Sequence, residues 1–204
     1  MIFANRKQAA QQLLPLLQAY RQQANTIVLG LPRGGVVTAA EIARGLNVPL
    51  DIVTPRKIGA PFNKEFAVGA VTMDGAILLN DDSAVPDDYI KQAAAKQQRE
   101  AQRRFKLYRG QRPPLQLHHK TIVLVDDGIA TGLTMRAALH YIRSFKPKRI
   151  VLIAPVGAPD AVASLTHLVD QVVVPHTPDY FGSVGEWYAA FPEVTDDEVI
   201  ALLQ

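Results

Sequence analysis

The chain has 204 residues, 48% hydrophobic and 20% charged, which fits one globular domain and argues against a disordered, fibrous or two-domain chain. Its 22 Lys and Arg against 19 Asp and Glu give a formal charge of +3, which suits a small anionic substrate and is weak evidence for nucleic acid. The absence of cysteine excludes disulfides, thiolate catalysis and cysteine-bound metal. Because the sequence has no long apolar run, we expect a cytoplasmic protein that does not enter a membrane.

The N-terminal part of the chain predicts a helix, a strand and a tight turn. Residues 7–24 carry Gln and Leu at helical spacing, which indicates an amphipathic helix that either caps a sheet or joins a hood over the ligand site. The apolar run at 27–29 indicates a buried strand, and another helix follows the turn. Within that turn Gly34 and Gly35 permit close backbone approach, while Arg33 offers a guanidinium suited to phosphate oxygens. We interpret it as an anion-binding turn; an ordinary strand-to-helix turn with an exposed arginine is the alternative.

The next segment combines a strand, basic residues and a hairpin. A strand is expected at 50–53, and Arg56 and Lys57 follow at its end. After a polar stretch, residues 67–80 have the pattern of a hairpin that turns at 74–75. Basic residues therefore gather beside a loop that could close over a ligand.

A long helix is expected at 86–109. It is dense in Lys, Arg and Gln, so most of its surface should be solvated. Several arginines could form a basic surface on it: Arg99, Arg103, Arg104 and Arg109. His118 and His119 follow on extended backbone, where adjacent side chains point apart, so we do not expect them to share a metal ion.

The stretch 121–135 organises the rest of the chain. Four apolar residues at 122–125 predict a buried strand that ends at Asp126 and Asp127. The small residues and hydroxyls of 128–134 follow, and a helix then begins. The first turn of such a helix presents unpaired N–H groups and the positive end of its dipole, so a phosphate can bind there. Carboxylates repel phosphate, and the two aspartates are suited instead to sugar hydroxyls or a hard divalent cation.

Another strand and helix are expected at 149–157 and 158–170. The alternation predicts an open, mainly parallel sheet with helices on both faces, which binds ligands at the carboxyl ends of its strands. We expect Arg33, Arg56 and Asp126 to meet there. The C-terminal tail is rich in aromatic residues: Tyr180, Phe181, Trp187, Tyr188 and Phe191. The first two lie just beyond a strand end and are the better candidates for contact with ligand, whereas core packing is an equal alternative for the others.

The motif at 121–135 resembles the phosphoribosyl-pyrophosphate signature of the type I phosphoribosyltransferase family. That signature has four apolar residues, two acidic residues, and a small loop that ends in Thr-Gly-x-Thr, as 131–134 do here. The resemblance implies an α/β fold with an open, doubly wound, mainly parallel sheet. It also implies a β-hairpin that forms a flexible loop, and a small hood built from the chain termini, within one domain over residues 1–204.

The resemblance implies a role for each part of the motif. Asp126 and Asp127 would hold the ribose hydroxyls and, with Lys57, would be the catalytic residues. The 5′-phosphate would be wrapped by Ile129, Ala130, Thr131, Gly132, Leu133 and Thr134. Pyrophosphate would be bound by Arg33, Gly34, Gly35, Arg56 and Lys57, and the base by Tyr180 and Phe181. Mg²⁺ would bind through the substrate, with Asp126 and Asp127 as candidate ligands.

The implied reaction is transfer of the 5-phosphoribosyl group from phosphoribosyl pyrophosphate to a nitrogenous base, with release of pyrophosphate, by a homodimeric enzyme of nucleotide metabolism. Family members that act on 6-oxopurines usually carry an aspartate where this chain has Ala130, so hypoxanthine and guanine are expected to be poor acceptors. Glu65 or a backbone carbonyl of the hood could take the proton of the base instead. Lys64, in the same loop as Glu65, either contacts the substrate or is a solvated charge. The alternative function is a phosphoribosyl-pyrophosphate-sensing regulator that binds RNA or DNA through the helix near Arg103; otherwise no nucleic-acid partner is expected.

Overall fold

The centre of the molecule is a parallel sheet of five strands. The computed structural model describes residues 2–63, 66–80 and 85–204. The strands of this sheet are β1 (Thr26–Gly30), β2 (Leu50–Ile52), β6 (Thr121–Val125), β7 (Arg149–Ile153) and β8 (Gln171–Val173). Across the sheet they lie in the order β2-β1-β6-β7-β8. Because both faces of the sheet are covered, its central strands are continuous apolar runs.

Helices cover the two faces of this sheet. On one face α1 (Arg6–Leu13) and α2 (Gly34–Leu46) pack against the side chains of Val28, Val123 and Val151. On the other face α4 (Leu133–Arg143) and α5 (Pro159–Thr166) pack against the alternate residues of the same strands. The predicted doubly wound α/β fold is therefore confirmed.

A second, smaller sheet is antiparallel and contains β3 (Arg56–Gly59), β4 (Ala67–Val71) and β5 (Ile77–Leu79). Strands β4 and β5 form the predicted hairpin, whose turn contains Gly75 with φ of +98°. The long helix α3 (Asp87–Arg109) packs on this sheet through Ile90 and Ala94. Arg56 and Lys57 follow the main-sheet strand β2 after a short connection, as expected, and both belong to β3 of the second sheet, which the sequence did not predict.

The N-terminal helix is shorter than predicted. Helix α1 ends at Leu13, and residues Leu14–Tyr20 continue as a 3₁₀ helix that contains Pro15 in its first turn. Proline lacks an N–H and its ring crowds the preceding turn, so an α-helix over 7–24 cannot pass through it unbroken. The Asn5 side chain caps α1 by accepting a bond from the backbone N–H of Gln8 at 3.0 Å.

The two ends of the chain meet beside the sheet. The backbone of Phe3 pairs with Tyr188, and their rings lie 5.5 Å apart between centroids. A short 3₁₀ turn, Val184–Trp187, precedes this contact, and the chain ends in α6 (Asp196–Leu203). This packing forms the predicted hood. In the described ranges, no helix is long and apolar enough to cross a membrane.

Candidate active site

The acidic pair lies where β6 ends, and its two members have different surroundings. Asp126 is half-buried, and its Oδ1 accepts a bond from the backbone N–H of Asp127 at 2.9 Å. Asp127 is buried, and its Oδ2 accepts a bond from Nε of Arg6 at 2.6 Å. The Tyr188 hydroxyl donates to the backbone carbonyl of Asp127 at 2.5 Å. Asp127 is thus held by the protein itself, whereas Asp126 faces a cavity.

Protonation of the pair is affected by its confinement. Burial and then the negative charge of Asp127 raise the pKa of Asp126 well above its usual value, although Arg6 opposes this shift. Burial and the charge of Asp127 likewise raise the pKa of Tyr188, so its hydroxyl remains a hydrogen-bond donor. A cationic partner at the cavity would therefore favour the charged form of Asp126.

A loop with an open helix end follows the acidic pair. Gly132 has φ of +72° and precedes the first residue of α4, while Ala130 and Thr131 are exposed. The loop is fixed to the next strand connection, because Ile129 donates to Val156 and accepts from Ala158 through backbone groups. Backbone N–H groups of the first helical turn are unpaired within the helix, so this end can bind an anion.

A cavity of about 210 Å³ joins these features. Its lining residues are Lys57, Ala67, Asp126, Gly128, Ile129, Ala130, Thr131, Gly132, Thr134, Met135 and Val184. Lys57 reaches it from β3 and Val184 from the hood. One carboxylate, one ammonium group and a helix N-terminus thus surround a space of the size of a small phosphorylated molecule.

The turn at 32–35 lies directly behind the acidic pair and contains a cis peptide bond between Pro32 and Arg33. A Cβ atom built on Gly34 would be 2.0 Å from Oδ2 of Asp127, and one on Gly35 would be 2.6 Å from Oδ1 of Asp126. Only glycine fits at these two positions without displacing the carboxylates. The turn therefore supports the acidic pair by close packing.

Comparison with known proteins identifies the family. The sequence pattern of the phosphoribosyl transferase domain matches residues 4–174. The chain belongs to the phosphoribosyl transferase domain family. A Mycobacterium tuberculosis protein with the name "Putative phosphoribosyl transferase Rv0571c" is 42% identical over 207 residues, which cover 99% of this chain and 46% of that protein. The chain thus spans about half the length of the curated relatives it matches.

Solved structures share the fold of this chain. TT1426 from Thermus thermophilus, which has a crystal structure, is 41% identical in sequence to this chain. The alignment covers 100% of this chain and 98% of TT1426, with a TM-score of 0.82. The purine phosphoribosyltransferase from Pyrococcus horikoshii is 17% identical, with coverage of 93% and 92% and a TM-score of 0.51, which indicates a shared type I phosphoribosyltransferase fold.

The structure brings together only some of the residues that the phosphoribosyltransferase motif predicts for the site. Asp126, Lys57 and the loop 129–134 apart from Leu133 line the same cavity. Ile129 and Leu133 are buried, so their side chains serve the core and only their backbone can meet a ligand. Asp127 does not line the cavity, because Arg6 holds its carboxylate on the other side.

Two predicted pyrophosphate ligands point elsewhere. The Arg33 guanidinium pairs with Glu193 and lies 3.6 Å from Oδ1 of Asp196. Arg56 lies next to Lys57 on β3 and faces the opposite side, where its Nε donates to Gln97 on α3 at 3.2 Å. Burial and then the positive charge of Arg104 lower the pKa of Arg56.

The predicted base-binding residues also lie apart from the cavity. Tyr180 is 93% exposed, and the ring of Phe181 stacks on Trp187 with 6.3 Å between centroids. Lys64 and Glu65, which belong to the predicted mobile loop, lie outside the described residues. The hood residue that does line the cavity is Val184, whose side chain also lies against Gly128.

Sequence reasoning missed Arg6, Tyr188 and Val184. Each is adjacent to the motif only in space, and an arginine at the start of a polar amphipathic helix looks like any solvated residue. Tyr188 looks like one of several packing aromatics, and its hydroxyl contact leaves no local signal in the sequence. In the sequence, the apolar residues Phe3 and Ala9, three positions before and after Arg6, were the available hint that Arg6 lies on a buried face.

Proposed function

We propose that this chain is a phosphoribosyltransferase that transfers the 5-phosphoribosyl group from phosphoribosyl pyrophosphate to a nitrogenous base and releases pyrophosphate. The observation that carries the proposal is the cavity in which Asp126, Lys57 and the loop 129–134 meet. Membership of the phosphoribosyl transferase domain family supports the same reaction class.

The loop 129–134 would bind the 5′-phosphate. The N-terminus of α4 supplies backbone N–H donors and a favourable dipole, and the hydroxyls of Thr131 and Thr134 lie beside it. Neither hydroxyl makes a hydrogen bond to another group among the described residues, so both can donate to phosphate oxygens. The sugar ring would then extend toward Asp126, whose carboxylate can accept bonds from ribose hydroxyls.

Pyrophosphate would lie near Lys57. The reaction breaks the bond between ribose carbon 1 and a pyrophosphate oxygen, and forms a bond from the same carbon to a base nitrogen, whose proton passes to the released pyrophosphate or to water. Positive charge grows on the ribose ring, where the Asp126 carboxylate stabilises it, and negative charge grows on pyrophosphate, where the Lys57 ammonium stabilises it. Arg33 and Arg56 do not line this cavity and are left out of this assignment.

Magnesium fits this site as a partner of the substrate. In the described part of the chain, no group of three or more acidic, His or Cys side chains could hold a metal ion by itself. Asp126 offers the carboxylate oxygen that Mg²⁺ prefers, and the remaining ligands would be phosphate and hydroxyl oxygens. Bound there, Mg²⁺ would neutralise charge on the leaving pyrophosphate.

The acceptor is expected to be a base other than a 6-oxopurine. Ala130 lines the cavity and has no proton-accepting group, in the position where 6-oxopurine enzymes of this family usually carry an aspartate. Val184 gives the opposite wall an apolar surface on which a planar base could rest.

The alternative, a regulator that binds nucleic acid through α3, has weaker support. Arg103 and Arg104 both bond to Glu100, which lowers the pKa of that carboxyl to about 2 and neutralises part of the basic surface. Arg109 is buried against Asp51, with 2.8 Å between Nε and Oδ1. These contacts leave fewer guanidinium groups for phosphates of RNA or DNA.

A substrate screen tests the proposal. The wild-type chain is incubated with phosphoribosyl pyrophosphate, Mg²⁺ and a panel of purines, pyrimidines and other amines, and pyrophosphate release is measured. We expect turnover with at least one acceptor, little with hypoxanthine or guanine, and none in Asp126→Asn. Turnover that survives in Asp126→Asn would disprove the assigned site, and salt-dependent binding of RNA without any turnover would favour the regulator.

A further inference from the structure

Arg6 lies behind the acidic pair and comes from α1, at the other end of the sequence. Its Nε donates to Oδ2 of Asp127 at 2.6 Å, and the two side chains are only 8% and 13% exposed. Its Nη1 donates to the backbone carbonyl of Pro192 at 2.8 Å, and its guanidinium carbon lies 3.7 Å from the centre of the Phe191 ring. The guanidinium is therefore fixed by contacts from two distant parts of the chain.

Stability alone is a poor reason for this arrangement. Burying an arginine and a carboxylate costs desolvation that their attraction often only offsets, and apolar side chains of similar volume would serve a core at least as well. The pair also lies directly behind Asp126, which lines the cavity, although neither Arg6 nor Asp127 lines it. A role for the Arg6–Asp127 pair in the site itself accounts for its position.

The contacts of Asp127 connect this pair to the cavity. Its backbone N–H donates to Oδ1 of Asp126, so the orientation of one residue constrains the other. The position that a Cβ of Gly34 would take is 2.0 Å from Oδ2 of Asp127 and 2.8 Å from Nε of Arg6. Arg6, Asp127 and the turn at 32–35 thus form one closely packed support behind Asp126.

On the basis of the proposed function, we propose that Arg6 is a positioning residue of the phosphoribosyl site. It holds Asp127 behind the cavity, so that Asp126 is the carboxylate that meets the ribose hydroxyls. Sugar recognition then depends on the N-terminal helix, which itself does not line the cavity. The 5′-phosphate loop has its own supports in the connection after β7, so phosphate binding should not depend on Arg6.

Two ligands separate these contributions: ribose 5-phosphate and 2-deoxyribose 5-phosphate share the phosphate and differ by one hydroxyl. Their dissociation constants are measured by calorimetry for the wild-type chain, Arg6→Gln, Arg6→Lys and the control Lys7→Gln, an exposed neighbour on the same helix. We expect the wild type and Lys7→Gln to prefer ribose 5-phosphate by about tenfold, as for one charge-assisted hydrogen bond.

Arg6→Gln should lose this preference while its affinity for 2-deoxyribose 5-phosphate is unchanged. Arg6→Lys keeps the charge but cannot bridge Asp127 and Pro192 together, so its preference for ribose 5-phosphate should be intermediate. If Arg6→Gln does not fold, the preference of Arg6→Lys tests the proposal instead. An undiminished preference in a folded Arg6 variant would overturn the proposal. A general loss of affinity for both ligands would do so too, since it indicates a merely structural role. Absence of any preference in the wild type would instead remove the proposed sugar site, and the role of Arg6 with it.

Discussion

Two strand-to-helix turns lie side by side in this molecule and have different roles. The turn at 32–35 follows β1 and residues 126–132 follow β6, and the two strands are parallel neighbours that end at the same edge of the sheet. The first turn is filled, since Gly34 and Gly35 lie against the carboxylates of the acidic pair. The second turn is open, with Ala130 and Thr131 exposed and the end of α4 facing a cavity.

This difference shows how one fold element serves two purposes. In the closed turn, glycine is needed because another part of the protein occupies the space that a side chain would take. In the open turn, Gly132 is needed for its φ of +72°, and the space beyond is left for a ligand. Substitutions in the closed turn should therefore affect folding first, and those in the open turn should affect binding first.

The largest expected effect is that of Gly35→Ala. Its Cβ would lie 2.9 Å from the Cα of Asp126 and 3.2 Å from the carbonyl oxygen of Val125, and these backbone atoms cannot move without distorting β6. We expect the free energy of unfolding to fall by about 3 kcal/mol in urea denaturation. The control is Gly182→Ala, where the 2.6 Å neighbour is the carboxylate of exposed Glu186, which can swing away. Equal and small losses at both positions would refute the closed-turn interpretation.

The contrast between the turns also explains what the sequence could and could not predict. The open turn is contiguous: strand, acidic pair, small loop and helix follow one another over 121–135, so local patterns predict both its structure and its anion-binding potential. The doubly wound fold follows from the same local alternation of strands and helices.

The contacts of the closed turn could not be predicted, because they depend on residues far away in sequence. Arg6 is 121 residues from its partner Asp127. Arg33 has the charge expected of a pyrophosphate ligand, and its guanidinium pairs with Glu193, 160 residues away. Arg56 and Lys57 are adjacent, and only the pairing of β3 in a second sheet decides which of them faces the cavity. Residue type predicts the charge of a side chain, whereas tertiary packing determines its direction.

A smaller effect of opposite sign is expected for Asp126→Asn. The pKa of Asp126 is higher in the folded chain than in the unfolded chain, so folding disfavours its charged form. This penalty is fully present above the folded pKa and disappears below the unfolded value of about 4. Asp126→Asn should therefore raise the free energy of unfolding at neutral pH by about 1 kcal/mol, a gain that shrinks to zero in acid.

Urea denaturation over a pH series measures this gain, with Asp179→Asn in an exposed loop as the control that should show none. The same Asp126→Asn variant should have lost pyrophosphate release. A variant that is less stable than the wild type at neutral pH would contradict the raised pKa of Asp126 in the folded chain.

The smallest effect on stability belongs to the open turn. Thr134 is half-buried at the start of α4, and its hydroxyl bonds to no other group in the described part of the chain. Thr134→Val should therefore change the free energy of unfolding by less than about 0.5 kcal/mol. The same substitution should weaken the binding of ribose 5-phosphate by about tenfold, because a donor to a charged phosphate is lost.

Thr38→Val on α2 is the matched control for Thr134→Val. The buried Thr38 hydroxyl has no partner among the described residues, so removing it should stabilise the fold and leave ligand affinity unchanged. Calorimetry and thermal unfolding on both variants separate binding from folding. Unchanged affinity in Thr134→Val would mean that backbone N–H groups alone bind the phosphate, and the open turn would then need its shape and helix dipole but not its hydroxyl.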